Sequence, residues 1–252
     1  MNPSPVRAPY VSARWRATVV KVLLVACAVV SVFAIITDVL SLLFPSLSEI
    51  EGEENIGAIL FAFAYLGLGL ATLLIFLTTV VFFSVWLYRS YENLRAFGHW
   101  QRNLHYSSGW AVGSFFVPFV NLVTPYRAVK ELWQNSVPVE DTRLGLGSVP
   151  SWFPLWWFFW LTSNFASNIY FRMSWNERVS HQVTTVVGIV ADALSIGAAI
   201  LAFVVVSAIT KRQEESSATL NVAALAGPPL PEFGNTRSYD SSPNQSAPPT
   251  SF

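Results

Sequence analysis

Among the residues able to carry chemistry, Asp192 has the least ordinary setting, because it interrupts an apolar run from Val183 to Ile209. If that run is a helix crossing a bilayer, Asp192 lies ~14 Å from its start. An ionised carboxylate at that depth is costly and has to face a partner or water. On the preceding apolar run, Trp152 to Phe171, Asn164 and Asn168 are one helical turn apart and share a face at comparable depth. Asp192, Asn164 and Asn168 are therefore the expected intramembrane polar cluster. A structural clamp between two helices is the first reading and a proton or ion relay the second. Asp38 is expected to behave differently, since it sits ~9 Å from the end of its own run and can reach interfacial water.

Other chemistry is hard to assemble. The chain has no H-E-x-x-H, no G-x-S-x-G and no P-loop. Gly67-Leu68-Gly69 falls inside an apolar run, where small residues let another helix approach rather than cradle phosphate. His99 and His105 do not have the three- or four-residue spacing that puts two ligands on one helix face, and His181 lies far along the chain. No metal, cofactor or catalytic residue is expected, and the chain reads as a non-enzyme. Glu49, Glu51, Glu53 and Glu54 form a solvated loop face, with cation binding as the lesser alternative. A single cysteine, Cys27, can make no intramolecular disulfide.

The elements that must hold these residues follow from composition. Apolar residues make up 53% of the chain and charged residues 12%, against about 25% charged in a soluble domain. So few charges cannot cover a water-facing surface. With 15 basic and 15 acidic residues and a net charge of zero, there is no basic excess of the kind nucleic acid requires. The lipid bilayer is the expected partner.

Crossing a ~30 Å hydrocarbon core takes about 20 apolar residues in a helix. Val22–Phe44, Ile56–Tyr88, Trp152–Phe171 and Val183–Ile209 meet that length. They show no two-residue alternation, so the expected fold is all-α and integral to the membrane, with four transmembrane helices. Leu24-Val25-Ala26-Cys27 resembles a lipoprotein cleavage box, but the apolar stretch continues to Phe44, which fits an uncleaved first span better. The run Gly109–Val123 is too short for a full crossing and holds Pro118, so a broken, re-entrant or interfacial segment is expected. After it, Thr124 and Pro125 read as N-cap and first position of an interfacial amphipathic helix ending near Ser136. Tyr126, Val129, Leu132 and Trp133 would form its apolar face, and Arg127 is spaced to pair with Glu131.

The domain reading is a cytoplasmic segment over 1–17, a polytopic helical domain over 18–212 and a disordered Ser/Pro-rich tail over 213–252. With Gly109–Val123 not crossing, 13 Lys and Arg fall on one side, while only Arg172 and Arg178 fall on the other. That asymmetry places both termini in the cytoplasm. Trp86, Trp100, Trp110, Trp133 and Trp152 would then gather at the inner interface, where indoles favour the headgroup region.

Several stretches resemble a known family. Trp86-Leu87-Tyr88-Arg89 with Asn93-Leu94, Gly109-Trp110-Ala111-Val112-Gly113, Phe116-Val117-Pro118, Asn121-Leu122, Pro125-Tyr126-Arg127 and Glu131-Leu132-Trp133 carry it, with Trp156-Trp157, Ser163-Asn164 and Ile209-Thr210-Lys211-Arg212-Gln213-Glu214. This pattern, over about 60–214, is similar to the uncharacterised bacterial membrane family catalogued as domain of unknown function 4328. Ser108 and Ser114 depart from it. The resemblance implies a plasma-membrane protein of bacteria and no particular activity or site. The functional expectation is a membrane scaffold or interaction protein with a protein partner at the cytoplasmic face. The alternative is a small transporter or channel component using Asp192 with Asn164 and Asn168; no small-molecule ligand is indicated.

Overall fold

The computed structural model describes residues 8–45, 56–99, 104–139, 141 and 148–226. Six α-helices follow in order among them: α1 (Arg14–Leu43), α2 (Ile56–Glu92), α3 (Ser108–Gly113), α4 (Thr124–Gln134), α5 (Phe153–Ser174) and α6 (His181–Ala226). A 3-10 turn over Asn93–Phe97 extends α2, and it stops at Gly98, whose φ of 87° is left-handed and needs no side chain. Among the described residues, α1, α2 with its extension and α6 are long and apolar enough to cross a membrane. α5, with 22 residues, is long enough by the same measure, ~33 Å. Its Asn, Ser, Thr and Trp residues leave it without a stretch as apolar as those of the other three, so three helices rather than the expected four meet both requirements among the described residues.

The long helices pack by a seven-residue rhythm. Ala17, Leu24, Ser31 and Asp38 are all buried along one line of α1. On α6 the matching lines are Ala191, Ala198 and Val205, and Ala199, Val206 and Gln213, again buried. A heptad spacing keeps one seam facing its neighbour, as in left-handed coiled coils, and α1 lies antiparallel to α6 along it. Close approach between α5 and α6 depends on glycine. A Cβ at Gly197 would stand 2.5 Å from the Phe159 ring, and one at Gly188 would stand 2.9 Å from the Tyr170 ring. Gly67 and Gly69, the expected approach points, have nothing within 4 Å of such a Cβ, because that stretch of α2 faces outward.

The segment Gly109–Val123 is broken. α3 ends at Gly113, turns follow, and a 3-10 turn covers Val120–Leu122. At the break Phe119 takes a φ of 62°, unusual for a residue with a Cβ, and is 87% exposed. α4 begins one residue earlier than expected: Val123 is the N-cap, without a side-chain cap bond, and Thr124 is already helical.

Two other expectations fail on α4 and α6. α4 is packed into the protein, burying Ala128 and Glu131 as well as Val129, Leu132 and Trp133. Glu131 does not pair with Arg127, because its carboxylate turns inward to donors described below. α6 runs on to Ala226, so residues 213–226, expected to be disordered, are helical. The reason is burial: Gln213 is fully enclosed, and Ser217 is buried a turn later. The rest of the tail, including Pro228-Pro229-Leu230-Pro231, and the loop acids Glu49, Glu51, Glu53 and Glu54 lie outside the described residues.

Candidate functional site

α1 and α6 bring Asp192 a partner that is not the expected one. Ser31 Oγ, on the buried line of α1, donates to Asp192 Oδ1 at 2.9 Å. Asn164 and Asn168 are exposed on the outer face of α5 and bond within their own helix. The Asn164 amide donates to the Trp160 carbonyl at 2.6 Å, and Asn168 Oδ1 accepts from Arg172 Nε at 2.9 Å. The three residues are thus not brought together. The two asparagines do share a face of α5, and that face is exposed rather than packed against α6.

In their place stands Asp38, which was expected to reach interfacial water and is only 5% exposed. The Tyr65 hydroxyl of α2 lies 3.4 Å from Asp38 Oδ1, and it shares a 2.9 Å hydrogen bond with the Tyr170 hydroxyl of α5. The missing side chain of Gly188 makes room for this group, since a Cβ there would come within 3.0 Å of Asp38 Oδ2. Gly188 is one turn before Asp192, so Asp38 meets α6 about one helical turn along from Asp192. Ser31, Asp38, Tyr65, Tyr170 and Asp192 therefore form a polar track joining all four long helices. Ser31 and Asp38 were findable, since they fall seven apart on the line Ala17, Leu24, Ser31, Asp38. Tyr65 and Tyr170 carried no such signal.

A second polar constellation occupies the end of the bundle that holds the N-terminal segment. Here the loop before α3, α4, the start of α5 and the last turns of α6 enclose an aromatic core with Trp86, Phe97, Phe153 and Trp156 all but fully buried. Trp86 is therefore inside the protein rather than at a headgroup interface, and its indole donates to Thr210 Oγ1 at 3.1 Å. Trp157 donates to the Leu122 carbonyl at 2.9 Å, tying the broken segment to α5. Trp133 donates to the Ser148 carbonyl at 2.8 Å.

Glu131 organises the loop before α3. Its Oε1 accepts from the His105 backbone N–H at 2.6 Å and lies 3.1 Å from His105 Nδ1; its Oε2 accepts from the Tyr106 N–H at 3.3 Å. The Tyr91 hydroxyl donates to the Ala128 carbonyl and stands 3.4 Å from Glu131 Oε2. Gln213 does the same work for α6: its amide donates to the Ser90 carbonyl at 2.9 Å and to Ser136 Oγ at 3.1 Å. Asn93 reaches Gln213 Oε1 at 3.4 Å and clasps Val11 by two backbone bonds, at 3.0 and 3.3 Å. The N-terminal segment is held again at Glu214, which accepts from Tyr10 at 3.0 Å and from Ser12, and pairs with Arg14 at 3.2 Å. Burial first, and the Glu214 carboxylate second, push the Tyr10 phenol above its ordinary range. Of the other histidines, His99 Nε2 meets the Val137 carbonyl at 2.8 Å and His181 lies beside Thr185.

The residues of this end are those that carry the resemblance, and the family comparison covers them. A family model described as a domain of unknown function, DUF4328, matches residues 58–211. The chain belongs to this family. Among the curated proteins and the solved structures nothing matches it. The matched stretch runs from the start of α2 into α6, and it contains Tyr65, Tyr170, Asp192 and Glu131. α1, with Ser31 and Asp38, precedes it, so both halves of the polar track that face α1 are completed from outside the family-matched region.

Proposed function

We propose that this protein is a non-catalytic scaffold or interaction protein of a bacterial plasma membrane, with α1, α2, α5 and α6 crossing the bilayer and both termini in the cytoplasm. The observation that carries the reading is the construction of the end near the N-terminal segment. Chain from five separate stretches is pinned there by Glu131, Gln213, Asn93 and Glu214 into one fixed surface. Buried polar groups bonded across elements favour a single arrangement, which a docking surface requires and a solvated loop does not. The charge asymmetry along the sequence supports the orientation, and the exposed Phe116 and Phe119 support a Gly109–Val123 segment that dips into the headgroup boundary without crossing.

The scaffold reading is tested by affinity purification in mild detergent of the wild type and of Arg127→Glu, which reverses an exposed charge on α4. A protein recovered in stoichiometric amount with the wild type and depleted by the variant supports the reading. Recovery of no partner with the wild type overturns it. The orientation is tested with single cysteines in a Cys27→Ala background, at the exposed positions Ser180 and Thr219. An impermeant reagent should label position 180 in intact cells and position 219 only after permeabilisation; the reverse pattern removes the topology.

A second reading, movement of protons or small cations, is favoured by one observation, the placement of Asp38 against Gly188, one turn from Asp192, inside the bundle. Flux into proteoliposomes that Asp192→Asn abolishes would raise it above the scaffold.

A further inference from the structure

Two grooves lie end to end along the seam between α1 and α6. The one nearer the N-terminal segment has a volume of about 530 Å³ and is lined by Arg14, Thr18, Lys21, Thr210, Lys211 and Glu214, among others. The second, of about 350 Å³, continues toward the middle of the helices between Leu24, Val25, Val29, Ala199, Ile200 and Phe203, and its walls are apolar throughout. Lys21 joins them: it lines the first groove while its Nζ sits 5.7 Å from the ring of Phe203, which lines the second. One turn of α1 separates Lys21 from Leu24, so an occupant polar at one end and apolar along its length would pass from one groove to the other without a gap.

The charges in the polar groove do not cancel. Arg14, Lys21 and Lys211 face Glu214 and Glu215. Glu214 is already engaged by Arg14 at 3.2 Å, while Lys211 reaches Glu215 only at 3.8 Å across an exposed pair. Lys21 has no carboxylate within ion-pair distance among the described residues, leaving one positive charge unmatched. The Ser207 hydroxyl, in the same wall, is buried and has no hydrogen-bond partner among the described residues. A single phosphodiester anion would balance the excess charge, and its oxygens would accept from Lys21, Lys211 and the hydroxyls of Thr18 or Ser207. Basic pockets between membrane helices are suited to such headgroups.

We propose that the α1–α6 seam is a binding site for one anionic phospholipid, its phosphodiester held by Lys21 and Lys211 and an acyl chain laid along the apolar groove from Leu24 to Val32. The site needs only α1 and α6 in the membrane and is independent of the scaffold reading. The apolar groove is what selects a lipid over free phosphate, which would gain nothing from Val25, Val29 or Ile200.

The test is native mass spectrometry of the full chain in a neutral detergent, offered phosphatidylglycerol and phosphatidylcholine with identical acyl chains. The wild type should retain phosphatidylglycerol in preference. Lys21→Gln should lower that retention about fivefold, and Lys21→Gln with Lys211→Gln about twenty-five-fold, from the usual worth of a basic residue at a membrane surface. Val29→Trp, which fills the apolar groove from its exposed side and alters no charge, should also lower it, whereas Arg178→Gln at the far end should leave it unchanged. Equal retention of the two lipids overturns the proposal, as does a Lys21→Gln variant indistinguishable from Arg178→Gln. Displacement of the lipid by an equal concentration of inorganic phosphate or glycerol 3-phosphate also overturns it, in favour of a free anion.

Discussion

The two ends of this helix bundle are built on opposite principles. Near the N-terminal segment the interior is large and aromatic, with Trp86, Phe97, Phe153 and Trp156 enclosed and their polar neighbours bonded across elements. Over the rest of the long helices the enclosed residues are small or polar, namely Ser31, Asp38, Ser41, Ser163, Thr185 and Ala191, while Phe63, Leu66, Leu73, Phe165 and Ile169 face outward. On the proposal that the long helices cross a bilayer, the difference follows the solvent. Where water can reach, apolar side chains gain by leaving it, and a core of the soluble kind results. Between lipid tails they gain nothing by going inside, so helices associate through close packing and hydrogen bonds instead.

The contrast can be broken by mutation, and the largest effect should come from the aromatic end. Trp86→Ala removes a fully buried indole together with its bond to Thr210, and about 3–5 kcal/mol of stability should go with it. Thermal unfolding in detergent measures this; a loss no greater than that of a lipid-facing Leu66→Ala control would mean the end is not a packed core. Glu131→Gln comes next, at about 1–3 kcal/mol, because it turns one of the two carboxylate oxygens into a donor, so that either the His105 or the Tyr106 N–H loses its acceptor. Its sharper readout is faster amide exchange at His105 or Tyr106, and unchanged exchange at both would remove Glu131 from its organising role.

In the half proposed to lie among lipid tails the effects should be small. A double-mutant cycle between Ser31→Ala and Asp192→Asn should give a coupling of about 0.6 kcal/mol, the average for helix–helix hydrogen bonds in membranes. The cycle between Asn164→Ala and Asp192→Asn should give none. Coupling to Asn164 rather than Ser31 would restore the arrangement expected from sequence.

The smallest effect concerns the clasp on the N-terminal segment. Tyr10 has its pKa raised in the folded protein, so its contribution is complete below the ordinary value of 10.0 and is lost only as the pH rises through the higher folded value. Proteolytic release of residues 8–13 should therefore be flat through neutral pH and increase only in strong alkali, and Tyr10→Phe should abolish the alkaline rise. A rise near neutrality would assign the clasp to another group.

Much of this architecture can be read without coordinates. The long apolar runs, the break at Pro118 and the helix opened by Pro125 are local properties, set by backbone hydrogen bonding and by the length needed to cross lipid. Even the buried line of α1 is written as Ala17, Leu24, Ser31 and Asp38 at sevenfold spacing. The helical residues beyond Gln213 were hidden because their composition suits a solvated tail; what orders the first of them is the enclosure of Gln213 between Ser90, Asn93 and Ser136, which no local rule supplies.

Partner choice inside the bundle belongs to the tertiary structure alone. Sequence places Asp192, Asn164 and Asn168 at matching depth because rise per residue is constant. It does not say which way α5 is turned, and about 100° of rotation separates one residue from the next. The rings of Phe159 and Tyr170 pressing on Gly197 and Gly188 belong to the packing that seats α5 against α6, and in that seating the asparagines face outward. Asp192 is left to Ser31 and Asp38 to Tyr65, because a hydrogen bond is made by whichever polar group the packing of whole helices brings within reach.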